Sequence, residues 1–257
     1  MSLPLFYLDR QILSDEDRLV FPLELNDEDR HHMHVLRLHA GEHIAIVDAS
    51  HDYFECELVD ESHVRIARSE AGDAEMCAHV TLVQGLPKGS KMDSVVRHAT
   101  ELGVDRFIPL MCERSIVRLS ADKASSRVRR WNAIAKSAAM QAGRRTIPKV
   151  TDVLSVADTV AALSDMSAVA ICWEESSGSG LCEFVRDTLS AEHIDPNQAS
   201  VAIVIGPEGG LTAKEVAALD ECSAHTASVT LGSTILRTET AGIVASALVI
   251  HELGGLR

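Results

Sequence analysis

Two glycine-marked stretches in the last quarter of the chain carry residue types suited to holding a ligand. The first runs from Val201 to Thr212, its loop reading Ile205-Gly206-Pro207-Glu208-Gly209-Gly210-Leu211-Thr212; the second runs from Val229 to Ala241, its loop reading Leu231-Gly232-Ser233-Thr234-Ile235-Leu236-Arg237-Thr238-Glu239. Glycine admits positive φ and lacks the Cβ that keeps a ligand away from main-chain N–H and C=O groups. Neither spacing is GxGxxG or GxxxxGK[ST], so neither the dinucleotide nor the P-loop mechanism applies as such. A tight strand-to-helix turn that binds nothing has the same composition, and pattern alone leaves both readings open. Thr212 followed three residues later by Glu215 matches a capping box for a helix starting at Ala213.

A second set of residues suits a polyanion. The chain has 24 Lys and Arg against 38 Asp and Glu, a net charge of −14, which argues at first against nucleic acid. The distribution reverses that: residues 88–149 hold 14 Lys and Arg against 5 Asp and Glu, a local balance of +9. Asp122 is the only acid between Arg114 and Lys149. A basic segment inside an acidic chain is an electrostatic footprint for RNA, although a solvated helix face would also look like this. Lys88, Lys91, Arg114, Arg118, Arg144 and Arg145 are suited to phosphate contacts, the arginines to bidentate ones.

These residues need elements to position them. Each glycine stretch follows an apolar, β-branched run, Val201–Ile205 and Ala227–Leu231, that reads as a buried strand. From residue 73 onward strands and helices alternate, with further strands at His79–Gly85, Arg106–Met111 and Ala168–Trp173. Helices are predicted at Lys91–Leu102, Asp122–Ala142, Val156–Leu163, Leu181–Ser190, Ala213–Asp220 and Glu239–Leu253. Such alternation implies an α/β fold, a mostly parallel sheet covered by helices. Loops at the carboxyl ends of its strands are where ligands sit. Ser176–Gly180 reads as a flexible surface loop. The last helix is apolar nearly all round and must be buried.

Residues 1–72 read differently. Glu42–Asp48, Tyr53–Asp60 and His63–Arg68 alternate as strands, and Asn26 can cap a helix running to about Leu38. A small β-barrel follows, joined to the second domain (73–257) by the polar linker Glu70–Glu75. His31, His32 and His34 lack acidic or Cys partners at ligand spacing, so no metal is expected. Ser50-His51-Asp52 cannot act as a triad, since adjacent residues cannot align as nucleophile, base and orienter. Six cysteines without CxxC or zinc spacing fit reduced thiols in a cytoplasmic protein. The N-terminus lacks a signal-peptide pattern, and no run of eighteen apolar residues predicts a membrane span.

IGPEGGLTAKEV at 205–216 followed by LGSTILRTETA at 231–241 resembles the C-terminal signature of the RsmE-type 16S rRNA uridine-N3 methyltransferases, of the SPOUT trefoil-knot class. LPKGSKMDSVVRHATELGVDRFIPLMCERS at 86–115 and QAGRRTIP at 141–148 extend the resemblance, and HHMHVLRLHAGEHIAIVD at 31–48 is a weaker echo of the family's N-terminal domain. The resemblance implies a PUA-like RNA-binding first domain and a second domain in which 231–237 passes through the loop before it. S-adenosylmethionine would be held by Ile205, Gly206, Pro207, Gly209, Gly210 and Gly232, with adenine among Leu231, Ile235 and Leu236. A homodimer involving the last helix is implied as well.

The implied reaction methylates N3 of a uridine near the decoding centre of the small ribosomal subunit. That needs a proton removed and the donor held in line. Glu239 could accept the proton and Arg237 stabilise the uracil enolate oxygen, unless they form only a structural pair at the start of the last helix. Arg114, Gln141 and Arg144 fall on family motif positions, Gln141 suited to a base edge, and Arg10 and Arg37 join them as candidate RNA contacts. Met140 stands where the family often carries Glu, so no role of that acid transfers. A methyltransferase for another RNA, a nucleotide-binding α/β enzyme and a noncatalytic RNA-binding factor are the rival readings.

Overall fold

The computed structural model describes residues 3–70 and 78–256. It divides into two compact units, one of residues 1–75 with 139–146, the other of 76–138 with 147–257. The expected linker Glu70–Glu75 lies almost entirely outside the described residues, as does Cys77.

In the first unit, strands β1 (Leu5–Tyr7), β2 (Phe21–Pro22), β3 (His43–Val47), β4 (Tyr53–Leu58) and β5 (His63–Glu70) form one sheet in the order β1-β3-β4-β5-β2. β1 lies parallel to β3, and the other pairs are antiparallel. The alternation read in residues 53–58 is real: Phe54, Cys56 and Leu58 are buried and their neighbours half-buried. Helix α1 (Asp27–Val35) starts at Asn26, whose side chain accepts the Asp29 N–H. It ends short of the expected Leu38 because Arg37 adopts φ 53°, outside right-handed helical space. β1 and β2 were not expected, being too short to show alternation.

The second unit is the predicted α/β structure. Strands β6 (His79–Gly85), β7 (Arg106–Leu110), β8 (Lys149–Val150), β9 (Ala168–Cys172), β10 (Ser200–Ile205) and β11 (Thr226–Val229) form a sheet in the order β11-β9-β10-β6-β7-β8, parallel throughout. Its helices are α2 (Lys91–Leu102), α3 (Ala121–Ala142), α4 (Val156–Ala162), α5 (Leu181–Ala191), α6 (Ala213–Leu219) and α7 (Thr238–Glu252).

Apolar side chains from both faces explain why the strands read as continuous hydrophobic runs. Leu82, Ile203 and Ala170 pack with Val96 of α2, Trp131 of α3, Val185 of α5 and Val249 of α7. Val83, Val204 and Ile171 pack on the other face with Val216 and Leu219 of α6. From β6 the chain moves outward through β7 to β8, and from β10 it moves the other way to β11, so the neighbouring strands β6 and β10 are left in opposite directions. That is the switch point at whose carboxyl edge open sheets bind ligands.

The last helix, expected to be buried, is only half so. Ala241, Ala245, Ser246, Val249 and Ile250 are buried, while Ile243, Val244, Ala247 and Leu248 remain half-buried. Nor is Ser176–Gly180 a free loop. Ser176 Oγ donates to the Ser228 carbonyl at 3.0 Å and Thr230 N–H donates to the Ser179 carbonyl at 3.1 Å, stitching the segment to β11. Among the described residues, no helix is long and apolar enough to cross a membrane.

Candidate active site

Both glycine loops leave the carboxyl edge of the sheet, one after β10 and one after β11. The first is cast by close backbone packing. A Cβ on Gly85, at the end of β6, would lie 2.5 Å from the Pro207 nitrogen, so β6 forms a shelf under Gly206 and Pro207 that only glycine permits. Pro207 then accepts the Gly210 N–H at 2.9 Å, and Gly210 takes φ 70° to close the turn. Leu211 is buried, and the expected capping box of Thr212 and Glu215 opens α6. Glu215 also accepts the Glu113 N–H at 2.7 Å, tying the loop to the segment after β7.

The second loop is looser. Thr230 Oγ1 bonds both the N–H and the carbonyl of Gly232, which sits at φ 122° with nothing within 4 Å of where a Cβ would be. Ile235 is 87% exposed, and Arg237 is the N-cap of α7.

Between the loops lies a cleft of about 710 Å³. Of the residues expected to hold a cofactor, Ile205, Gly206, Pro207, Gly210, Leu231, Gly232, Ile235 and Leu236 line it, and so does Arg237. Gly209 does not: it packs against Arg114, whose Nη1 donates to the Gly209 carbonyl at 3.2 Å. Glu239 is not a lining residue either, but is reached through Lys91. The Lys91 ammonium lies 3.0 Å from Glu208 and 3.1 Å from Glu239, joining the first loop to the first turn of α7.

The charges in this triad support one another. Donating to the Glu208 and Glu239 carboxylates raises the Lys91 pKa above its ordinary value. Burial alone would raise Glu208, but the Lys88 N–H and the Lys91 ammonium outweigh it and hold the carboxyl below its usual range. Burial of Glu239 is likewise outweighed, by its own N–H, Lys91 and Arg237, so this group too is held as the carboxylate. Cys172 in the cleft wall is different: burial pushes its thiol up to about 12, so it offers no thiolate near neutral pH.

The candidate RNA contacts fall into both units. In the second, Lys91 is engaged as described, Lys88 bonds Glu208 through its main chain, and Arg118 donates to the Glu113 carbonyl at 2.7 Å. In the first, Arg10, Arg37 and Gln141 are exposed. Arg144 is buried, its carbonyl accepting from Tyr7 Oη at 2.6 Å, and the Arg145 guanidinium lies over the Tyr53 ring at 5.8 Å. Among the described residues no cluster of His, Cys, Asp or Glu could hold a metal ion.

Sequence reading missed Trp173 and Glu174, which line the cleft; Thr230 and Thr238, which line it too, lie in the second glycine stretch but carried no assigned role. Glu174 lies over the Cα of Gly210, filling the place a side chain there would take. It stands two residues beyond β9, so the carboxyl-edge rule applied to that strand would have found it.

The match to known proteins agrees with this geometry. Residues 74–250 match the model of the RNA methyltransferase domain family. The chain is 35% identical over 240 residues to the ribosomal RNA small subunit methyltransferase E of Bacillus subtilis (strain 168), covering 91% of each. It is 35% identical over 170 residues to the protein of that name from Mycobacterium bovis, covering 65% of this chain and 60% of that one. Among solved structures, a ribosomal RNA small subunit methyltransferase E from Neisseria gonorrhoeae bound to S-adenosylmethionine superposes with TM-score 0.77 at 27% identity, covering 96% of this chain and 97% of the other. A Legionella pneumophila methyltransferase in complex with the same cofactor gives TM-score 0.78 at 26% identity, covering 98% of each chain. The chain thus belongs to the RNA methyltransferase domain family, among the ribosomal RNA small subunit methyltransferases E.

Proposed function

We propose that this protein methylates N3 of a uridine near the decoding centre of 16S rRNA, using S-adenosylmethionine. The observation that carries the reading is the cleft between the two glycine loops, lined by Arg237 and by Lys91, which pairs with Glu239. Its volume of about 710 Å³ lies within the usual range for small-molecule sites, and the open space beside the Gly232 Cα lets a ligand reach main chain. Gly206, Pro207, Gly210 and Gly232 would hold the cofactor by main chain, with Leu231, Ile235 and Leu236 against its base. The bound cofactor supplies an electrophilic methyl group on a sulfonium.

The protein must then make the uracil imide nucleophilic. Arg237 is suited to stabilising the negative charge that develops on a uracil oxygen as the N3 proton leaves. Glu239, held as a carboxylate in the first turn of α7, is the acceptor within this cluster, and Lys91 keeps it anionic. A base inside folded rRNA must be splayed out to reach such a cleft, so docking needs a surface beyond it. The basic segment 88–149 is read as supplying phosphate contacts and the first unit as a PUA-like RNA-binding domain, and salt should weaken RNA binding steeply.

We further read residues 231–237 as the knotted segment, and the protein as a cytoplasmic homodimer. The exposed Ile235 and the half-buried stripe Ile243, Val244, Ala247 and Leu248 favour a second copy on this side. Mapping modified bases in small-subunit RNA from a strain lacking the protein tests the function. Loss of N3-methyluridine is expected; its persistence would overturn the substrate assignment.

A further inference from the structure

Gln84 is a polar residue near the carboxyl end of the central strand β6, after the apolar Leu82 and Val83, and it is fully buried. Its side-chain amide donates at 2.8 Å to Thr238 Oγ1, and Thr238 Oγ1 lies 2.6 Å from the carbonyl oxygen of Gly206. A carbonyl cannot donate, so at that distance the hydroxyl proton must point to Gly206. The hydroxyl then has only lone pairs left for Gln84, which fixes the amide with its NH2 towards Thr238. The chain of bonds therefore has one direction, from β6 through the first residue of α7 to the first glycine of the cofactor-facing loop.

The arrangement carries a stability cost. Gln84 Oε1 has no hydrogen-bond partner among the described residues, and a buried orphan acceptor is destabilising. An apolar side chain of the same size would remove that cost, so the residue is poorly explained by stability. Gly242 makes the same point from the opposite side. It is inside α7, where alanine is the better helix former, yet a Cβ there would collide with Gln84 Oε1.

We infer that Gln84 and Thr238 are positioning residues that fix the Gly206 peptide, and with it the spacing of the two glycine loops, for cofactor binding. This rests on the S-adenosylmethionine reading of the cleft. Both loops depend on the link. Gly206 begins one, and Thr238 follows directly on Arg237 at the end of the other. With the hydroxyl gone, the Gly206 carbonyl loses its side-chain donor, and the packed loop loses this bond to the end of the other loop.

Three variants test this, each measured by calorimetry with S-adenosylmethionine, by thermal unfolding, and by transfer rate at saturating cofactor. Thr238→Val should weaken cofactor binding about tenfold, while Thr238→Ser, which restores the hydroxyl, should bind within about twofold of the unaltered protein. Gly242→Ala, which displaces the Gln84 amide, should also bind about tenfold more weakly while melting no lower than Thr238→Val. For all three the rate at saturating cofactor should stay within about threefold, because the defect lies in binding. Folded Thr238→Val and Gly242→Ala proteins that bind like the unaltered protein would overturn the inference. So would a serine variant that fails to restore affinity. If the unaltered protein itself bound no S-adenosylmethionine, the cofactor reading would fall, and this inference with it.

Discussion

The two glycine loops look alike as sequence and behave differently as structure. The loop after β10 is held from every side: Gly85 beneath Pro207, Arg114 against Gly209, Glu174 over Gly210, and Lys88 and Lys91 on Glu208. Among the described residues, the loop after β11 holds Gly232 through Thr230 alone, has open space at its Cα and leaves Ile235 in solvent. One is a preorganised wall, whose glycines exist because neighbours crowd them. The other is a lip, whose glycine serves conformation and access. Glycine thus answers two separate demands in one site, close approach of protein to itself and close approach of a ligand.

The wall should break hardest. Gly85→Ala drives a Cβ into the Pro207 main chain, which cannot yield as a side-chain tip would. Overpacking of this kind costs about 1–3 kcal/mol, seen as a lower melting temperature, and calorimetry should show cofactor affinity down by roughly 100-fold. Arg237→Ala, on the lip, sharpens the contrast. Methyl transfer should fall about 100-fold while cofactor affinity changes less than about threefold, the mark of a group acting mainly in the transition state. Equal losses in both would move Arg237 into the cofactor pocket.

Lys91→Met comes next, because it joins wall to lip. Solvent screens a pair of this kind, so activity at neutral pH should drop no more than about fivefold. The pH profile is the better readout. The Glu208 and Glu239 carboxyls lie below the ordinary 4.5 in the folded protein, so their contribution is present above that value and lost as pH falls through the folded pKa. Lys91, raised above 10.5, contributes below that value and loses its contribution as pH rises through its folded pKa. Removing Lys91 should move the acid limb of activity to higher pH. An unmoved limb would show that the triad does not set it. The smallest effect on the isolated chain is expected from Ile235→Asp, within about 0.5 kcal/mol by denaturant titration, since the side chain is already in solvent. In light scattering the same change should dissociate the proposed homodimer.

Much of the fold was legible because its signals are local. Runs such as Val201–Ile205 are buried on both faces, and Thr212 with Glu215 marks a helix start without tertiary help. The short strands Leu5–Tyr7 and Lys149–Val150 were not legible, since two or three residues carry no period and only their neighbours make them strands. In the site, most of the lining followed from glycine spacing, but its polar wiring did not. Lys91 read as a phosphate contact because its charge is visible in sequence, whereas its partners are 117 and 148 residues away. Gln84 and Thr238 are joined across 154 residues; Thr238 lies in the second glycine stretch, but nothing in the sequence pairs it with Gln84, which sits in a strand with no pattern that suggests a role.

The most direct test is transfer by the purified protein. It should be incubated with methyl-labelled S-adenosylmethionine and small ribosomal subunits from a strain lacking it, and the 16S rRNA then digested to nucleosides and analysed by mass spectrometry. The account predicts label in N3-methyluridine at a single site, lost with Arg237→Ala. Unlabelled 16S rRNA, or label on another atom or base, would contradict it.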